Sequence, residues 1–291
     1  MEPGIYHDLS NEDYHAAPGI SKSGLDLVHQ CPYLYYKRRL DPARPPEKVR
    51  GGQLEGTLAH CTILEPAEFW KRYAVPPEDA PRRPTDRQIN AKNPSEATVE
   101  AIEYWKRWDE ENKGRELIPV EKADVAWAQA QSVKMVPEIQ KALSEGIAEP
   151  SGFWIDEKTG VLCKVRPDWV HSTPKGDIIL DVKTYSSADP RGWGRQAARK
   201  RYHVQAAYYS HGWEQVSGNK VLAFVNIIVE AEWPHAASAT MFDQPAWDEG
   251  NDRWREDLDR YAECKKNDSW PMYSDAIEIV GLPVYAFYGD D

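Results

Sequence analysis

The feature that most constrains this sequence is a pair of β-strand segments joined by a short turn. VLCKVRPDWV at 161–170 and DIILDVKT at 177–184 are rich in apolar and β-branched residues. STPKG at 172–176, which lies across their junction, is typical of a turn. We therefore expect the chain to reverse direction here and to pair the two segments.

This hairpin would gather acidic and basic side chains at one place. Asp168 lies near the end of the first segment, and Asp181 and Lys183 lie two residues apart in the second. Because side chains alternate between the two faces of a strand, Asp181 and Lys183 should share a face, whereas Val182 should point into the core. The pairing then brings Asp168 into the neighbourhood of Asp181.

Such a grouping is suited to phosphodiester hydrolysis. Magnesium prefers hard carboxylate oxygens, and it both activates water and compensates charge on a phosphate. We predict that Asp168 and Asp181 hold Mg²⁺, with Mn²⁺ as a substitute, and that the backbone carbonyl of Val182 is a further ligand. Lys183 would orient or deprotonate the attacking water and stabilise developing charge.

The same residues also have an ordinary interpretation. An Asp-x-Lys triplet is common by chance, and a surface hairpin with simple salt bridges would contain the same letters. The order of Asp168, turn, strand and Asp181-Val182-Lys183 is more specific than the triplet alone, but it does not exclude this alternative.

The rest of the chain predicts a mixed α/β (α+β) fold with a central mixed sheet flanked by helices. We expect one domain over 1–291, with a helical part at about 1–145, a sheet core at about 146–235 and a C-terminal helical extension at about 236–291. Further strands are predicted at 149–156 and 220–231. Helices are predicted at 20–39 (broken by Pro32), 52–64, 95–114, 121–144, 190–216 and 244–266.

Charge and hydropathy narrow the functional classes. The formal net charge is −11, which argues against a protein that coats DNA through overall positive charge. No stretch approaches the roughly 20 apolar residues that cross a bilayer, and the N-terminus lacks the basic start and apolar core of a secretory signal. We expect a cytoplasmic protein with no membrane partner.

Longer motifs bring in a family resemblance. GIYHDLSNEDYH, PGISKSGLD, GTLAHCTILEP, RPDWV, ILDVKT and YHVQAAYYS occur in this order between about residue 4 and about residue 231. They resemble the nuclease domain of exodeoxyribonuclease VIII (RecE) and its phage relatives, within the PD-(D/E)xK nuclease superfamily. The resemblance implies a restriction-endonuclease-like core.

The resemblance also implies roles for individual residues. His60 would reach the metal from an early helix, together with the carboxylates of Asp168 and Asp181, and Lys183 would be the catalytic lysine. Gln205 and Tyr209 would position DNA and the lysine or the water. Glu149, before the first core strand, would be a further acidic metal ligand, although its role is the least defined.

The activity implied by the family is digestion of linear double-stranded DNA from its ends. The implied direction is 5′ to 3′, which leaves 3′ single-stranded overhangs for phage-type recombination. The implied partners are a second, third or further copy of the chain in a ring around DNA and a RecT-like single-strand annealing protein. The implied location is the cytoplasm of a bacterial or phage-infected cell.

Basic residues near the motif suggest where DNA could lie. Arg195, Arg199, Lys200 and Arg201 form a cluster, and Arg201, Gln205 and Tyr209 are spaced by four, as on one helical stripe. A basic helix face is more often simply solvated, but beside a nuclease-like motif we predict phosphate contacts from this cluster. Arg166, in the RPD motif itself, is predicted to join them.

The four cysteines argue against a disulfide framework or zinc ribbon and against an iron–sulfur cluster. They are widely spaced and form no CxxC pair, so we expect buried free thiols. Cys31 is similar to the first ligand of iron–sulfur nucleases, but the C-terminal region offers only Cys264, so no iron–sulfur cluster is expected.

Three alternative functions remain compatible with the sequence. The first is an endonuclease or flap-cutting repair enzyme of the same fold, and the second is a non-catalytic DNA-binding or phage-assembly module. The third, a metal-independent Ser or Cys hydrolase, has little support because the sequence lacks a GxSxG motif.

Overall fold

The computed structural model describes residues 1–45, 53–283 and 286–287. None of the helices in these ranges is long and apolar enough to cross a membrane. The helices are α1 Asn11–Ala16, α2 Lys22–Gln30, α3 Pro32–Tyr35, α4 Gln53–Leu64, α5 Phe69–Arg72, α6 Asp86–Ile89, α7 Glu96–Glu111, α8 Val120–Lys134, α9 Pro137–Leu143, α10 Pro190–Lys200, α11 Tyr202–Ser217 and α12 Gln244–Asn267. A π-helical turn, Tyr36–Leu40, follows α3.

The strands lie mostly in the second half of the chain. They are β1 Gly4–Tyr6, β2 Tyr73–Ala74, β3 Glu116–Leu117, β4 Ile147–Ala148, β5 Ser151–Ile155, β6 Leu162–Val165, β7 Trp169–Thr173, β8 Gly176–Tyr185, β9 Val221–Glu230 and β10 Ala237–Thr240.

The central sheet has five strands in the order β10-β9-β8-β7-β4. β8 and β9 are parallel because α10 and α11 carry the chain back between them, and the remaining neighbours are antiparallel. Helices cover both faces, so the predicted mixed sheet flanked by helices is confirmed.

The two faces of β8 bury different residues. Leu180 and Val182 pack with Ala59 and Ile63 of α4 and with residues of α8. Ile179 packs on the other face with residues of α11. Because Asp181 and Lys183 alternate with Val182, they lie on the face covered by α11, as the strand period predicted.

A second, antiparallel sheet of order β1-β5-β6 packs beside α11. A Cβ atom added at Gly212 of α11 would lie 2.5 Å from the Trp154 ring of β5. Glycine therefore permits the close approach of α11 to this sheet, and α12 and α2 pack outside it with Trp254, Leu258 and Leu25 in the same core.

The structure differs from the prediction mainly where a long element is broken. The strand predicted at 161–170 is two strands, since β6 pairs with β5 while β7 pairs with β8. Asp168 therefore precedes β7 instead of ending a strand. The helix predicted at 121–144 divides before Pro137, which starts α9.

Two further differences concern the last third of the chain. The helix predicted at 190–216 divides at Arg201, whose backbone is left-handed with φ 57° and ψ 40°. The predicted helical extension at about 236–291 begins with β10 of the central sheet, and α12 packs against α11 and α2. The C-terminal part is thus built into the main fold up to Asn267.

Candidate active site

Asp181 lies at the centre of a closed group of charged and polar side chains. It is 1% exposed, and its Oδ1 accepts a hydrogen bond of 2.7 Å from the Nε2 amide of Gln205 on α11. Its Oδ2 forms an ion pair with the Nζ of Lys183. The predicted grouping of Asp181, Lys183 and Gln205 is therefore present as a set of direct contacts.

The pKa of Lys183 is raised above its usual range. Burial by itself would lower this pKa, but the attraction of Asp181, and next of Asp168, more than offsets it. The ammonium group also lies 4.7 Å from the centre of the Tyr202 ring. No role was predicted for Tyr202, although it is the first residue of the YHVQAAYYS motif.

Asp168 lies in the connection between β6 and β7 and faces β8. Its Oδ2 accepts a hydrogen bond of 2.7 Å from the backbone N–H of Val182. Burial raises the pKa of this carboxyl to about 6; the His60 imidazole opposes the increase and the nearby Asp181 adds to it. Asp168 is thus a carboxylate whose charge the protein compensates incompletely.

His60 reaches the same place from α4, as the resemblance implied. Its Nε2 is 3.1 Å from the carbonyl oxygen of Val182, and its Nδ1 is 3.7 Å from Oδ2 of Asp168. The carbonyl can only accept, so Nε2 carries the hydrogen of this bond, and Nδ1 is the ring nitrogen nearer to Asp168.

Glu149 is adjacent to these residues but is engaged elsewhere. Its backbone N–H donates to the Asp168 carbonyl at 2.9 Å, and its side chain accepts a 2.9 Å hydrogen bond from Arg166. Its backbone has a φ of 47°, in the left-handed region. Glu149 therefore supports the segment that carries Asp168, and its direct role at a metal stays a prediction.

An open cavity of about 450 Å³ adjoins the outer side of the group. Its lining contains several of the predicted site residues together with aromatic and basic side chains from the N-terminal part. It includes His60, Glu149, Asp168, Tyr209, Tyr14 and Arg72. Burial raises the pKa of Tyr209 well above its usual value, so its hydroxyl remains protonated.

The predicted basic residues fall into two different environments. The guanidinium of Arg166 donates to Glu149, to the Leu9 carbonyl at 2.8 Å and to Ser151 at 3.2 Å. Arg201 forms ion pairs with Asp26 and Asp257. Both arginines are therefore tied to other parts of the chain, contrary to the expectation of free phosphate-binding groups.

Arg195, Arg199 and Lys200 are exposed on α10 and remain available to a ligand. The expected stripe of Arg201, Gln205 and Tyr209 is not continuous, because Arg201 precedes α11 and turns toward α2 and α12. Only Gln205 and Tyr209 face the site.

The donor set fits a divalent cation. Within the described ranges no group of three or more His, Cys, Asp or Glu side chains is arranged so that it could hold a metal ion by itself. Magnesium commonly uses one or two carboxylates and completes its shell with water and phosphate oxygens. Asp168 and Asp181 are such carboxylates; both oxygens of Asp181 are bonded to Gln205 and Lys183, so Asp168, which lines the cavity, is the one open to a cation.

The four cysteines Cys31, Cys61, Cys163 and Cys264 are buried free thiols, as predicted.

Comparisons with known proteins agree with this fold. The crystal structure of a protein described as "Putative exonuclease" from Eubacterium rectale is similar with a TM-score of 0.56 and 14% identity, covering 97% of this chain and 98% of that one. At this identity the similarity concerns the fold alone. A second structure, SSO0001, has a TM-score of 0.27 and 11% identity over 53% of this chain and 68% of its own, which supports no conclusion.

No curated protein is significantly similar to the chain. Residues 21–283 match the family described as "PDDEXK-like domain of unknown function (DUF3799)". This range contains His60, Asp168, Asp181, Lys183, Gln205 and Tyr209. Since the match extends over most of the sequence, the chain belongs to this family of PDDEXK-like domains.

Proposed function

We propose that this protein is a metal-dependent exonuclease that hydrolyses phosphodiester bonds of linear double-stranded DNA. The observation that carries the proposal is the direct contact of Asp181 with Lys183 and Gln205, beside Asp168, in a PDDEXK-like domain. The alternative of a surface hairpin with ordinary salt bridges does not explain a buried carboxylate, Asp181, close to the half-buried carboxylate of Asp168.

Each residue has a distinct task in this proposal. Asp168 and Asp181, with the Val182 carbonyl and His60 nearby, would hold Mg²⁺, for which Mn²⁺ can substitute. The bound metal would polarise the scissile phosphate and lower the pKa of a water molecule. Lys183 orients that water and stabilises negative charge on the phosphate, and Gln205 holds Asp181 in place. Tyr209, which lines the cavity, would position the DNA.

The finer details extend the family resemblance. We propose 5′-to-3′ digestion that leaves 3′ overhangs, a homo-oligomeric ring around DNA and cooperation with a RecT-like annealing protein in phage-type recombination. The fold neighbour described as a "Putative exonuclease" supports exonuclease action in general, and these finer details rest on the family resemblance. The proposed location is the cytoplasm of a bacterial or phage-infected cell.

Digestion of matched linear and circular DNA tests the central proposal. The same plasmid would be used as a closed circle and as a linear duplex. The two ends of the linear form would carry different fluorescent labels, and both forms would be incubated with and without Mg²⁺. We expect loss of the linear form only with Mg²⁺ and no cutting of the circle. Cutting of the circle would instead identify an endonuclease of the same fold.

Phosphorothioate blocks at either end determine the direction. A 5′ block should stop digestion and a 3′ block should not; the opposite result would overturn the proposed polarity.

Asp181→Asn is the control for catalysis, since it keeps the side-chain size but removes the charge. If wild type and Asp181→Asn bind DNA and neither digests it, the protein is a non-catalytic DNA-binding module.

Light scattering after size separation tests the ring. A mass of three or more chains at micromolar concentration agrees with it, whereas a strict monomer with and without DNA contradicts it.

A further inference from the structure

The ammonium group of Lys183 lies between a carboxylate and an aromatic ring. Its Nζ is paired with Oδ2 of Asp181 and lies 4.7 Å from the centre of the Tyr202 ring. The face of an aromatic ring carries negative charge density and attracts cations, more strongly where water is excluded. The Lys183 side chain is 15% exposed, so this contact is largely shielded from solvent.

The Tyr202 ring is itself held in place by a second aromatic ring. Trp193 of α10 stacks on it with ring centres 5.5 Å apart and an angle of 16° between planes. Trp193 is buried, and the edge of Tyr185, at the end of β8, packs against it at 6.1 Å. The ring over Lys183 therefore belongs to a packed stack and not to a mobile surface side chain.

The backbone before Tyr202 is fixed by charges from two other helices. Arg201, in its left-handed conformation, forms an ion pair with Asp26 of α2, with 3.2 Å between Nε and Oδ1, and donates a hydrogen bond from Nη2 to Asp257 of α12. Lys22 of α2 pairs with Asp26 at 2.7 Å and donates to the Lys200 carbonyl at 3.2 Å. These bonds determine where α10 ends and at which angle α11 begins.

We propose that Tyr202 is a positioning residue for Lys183, and this inference rests on the proposed nuclease function. The ring face limits the ammonium group to the side of Asp181, from which it can reach a water molecule beside the phosphate. Trp193 and the ion-paired Arg201 act through Tyr202, because they determine the position of the ring.

The ring face, and not the phenol hydroxyl, makes the contact. Tyr202→Phe therefore should keep both kcat and KM within about twofold of wild type, because phenylalanine presents a similar face. Tyr202→Leu removes the face and should reduce kcat about tenfold, with KM within twofold, because Lys183 samples unproductive positions while DNA contacts are unchanged.

Tyr33→Leu is the matched control. Tyr33 also lies near a lysine, with its ring centre 5.8 Å from the Nζ of Lys37, but it belongs to α3 and lies outside the catalytic group. We expect wild-type kinetics for this variant. Melting temperatures of all variants would be measured, and Tyr202→Met would replace the leucine variant if that one does not fold.

The reactivity of Lys183 gives a readout that does not depend on activity. Under limiting treatment with an amine-acylating reagent, mass spectrometry should show Lys183 modified several-fold faster in Tyr202→Leu than in wild type or Tyr202→Phe. If the wild type lacks nuclease activity, the proposed function fails, whereas this measurement still supports or refutes the placement of Lys183 by Tyr202.

Several results would overturn the inference. Unchanged kcat and unchanged Lys183 reactivity in Tyr202→Leu would show that the ring does not restrain the lysine. Equal loss of kcat in the phenylalanine variant would assign the effect to the hydroxyl. An increase in KM with unchanged kcat would place Tyr202 in contact with DNA instead.

Discussion

The inner and outer halves of the candidate site treat their carboxylates differently. Asp181, in the inner half, is paired with Lys183 and hydrogen-bonded by Gln205, so the protein itself compensates its charge. Asp168, in the outer half, borders an open cavity and has a pKa raised to about 6. The fold thus compensates the charge of one carboxylate fully and that of the other incompletely.

Removal of the inner carboxylate should have the largest effect. Asp181→Ala leaves the ammonium group of Lys183 without its buried partner, so we expect a stability loss of about 3 kcal/mol and a loss of activity of roughly 10³-fold or more. Denaturant unfolding and the linear-duplex assay measure these two quantities. Retention of wild-type digestion would contradict the proposed mechanism.

Substitution of the outer carboxylate should reduce activity without reducing stability. Asp168→Asn should also abolish digestion. Its free energy of unfolding at pH 7, however, should rise by about 3 kcal/mol, because the raised pKa means that the ionised group destabilises the folded protein. A loss of stability as large as that of Asp181→Ala would remove the distinction between the two halves.

The pH dependence of metal binding should follow the outer carboxylate. The metal-free protein takes up a proton on Asp168 as the pH falls through about 6, and that proton competes with Mg²⁺. The increase in melting temperature caused by Mg²⁺ should therefore be present at pH 7–8 and shrink below about pH 6. If the Mg²⁺-induced increase in melting temperature stays constant down to pH 5, Asp168 is not a ligand of the metal.

Substitution of His60 should reduce activity less than substitution of either aspartate. His60→Ala removes both the hydrogen bond to the Val182 carbonyl and the nitrogen that faces Asp168. We expect metal affinity to fall by roughly 10-fold, measured by titration of activity with Mg²⁺. Full activity at saturating Mg²⁺ is expected, and its absence would indicate a role of His60 beyond metal binding.

Substitution of an exposed arginine of α10 should have the smallest effect on digestion. Arg199→Ala should raise KM about twofold and reduce the salt dependence of DNA binding by about one phosphate contact. Lys175→Ala is the control, since Lys175 is exposed at the turn before β8. Equal effects of the two substitutions would assign both to general charge and not to a DNA path along α10.

Strand β8 was the most predictable part of the molecule. The alternation in DIILDVKT placed Asp181 and Lys183 on one face and Val182 in the core, since the two-residue period of a strand depends only on local backbone geometry. The start of α7 is equally local, since the side chain of Ser95, its N-cap, accepts a hydrogen bond from the backbone N–H of Thr98. His60 required the family resemblance, since one histidine on a helix indicates no particular role.

The predictions failed where distant segments decide the outcome. The strand at 161–170 divides because its halves pair with different sheets. Arg166 and Arg201 were expected at DNA, but they bind partners as distant in sequence as Leu9 and Asp257. Tyr202 was overlooked for the same reason, because its contact with Lys183 exists only once α10 and α11 cross the sheet.

The sequence alone determined the type of chemistry and the strand that carries it. Residue identity establishes which groups are acidic, basic or able to bind a metal, and short-range periodicity establishes which of them share a face. The tertiary structure decided which charges remain free and which neutralise one another. That outcome depends on the distances between elements far apart in the chain and on their burial, and local sequence encodes neither of these.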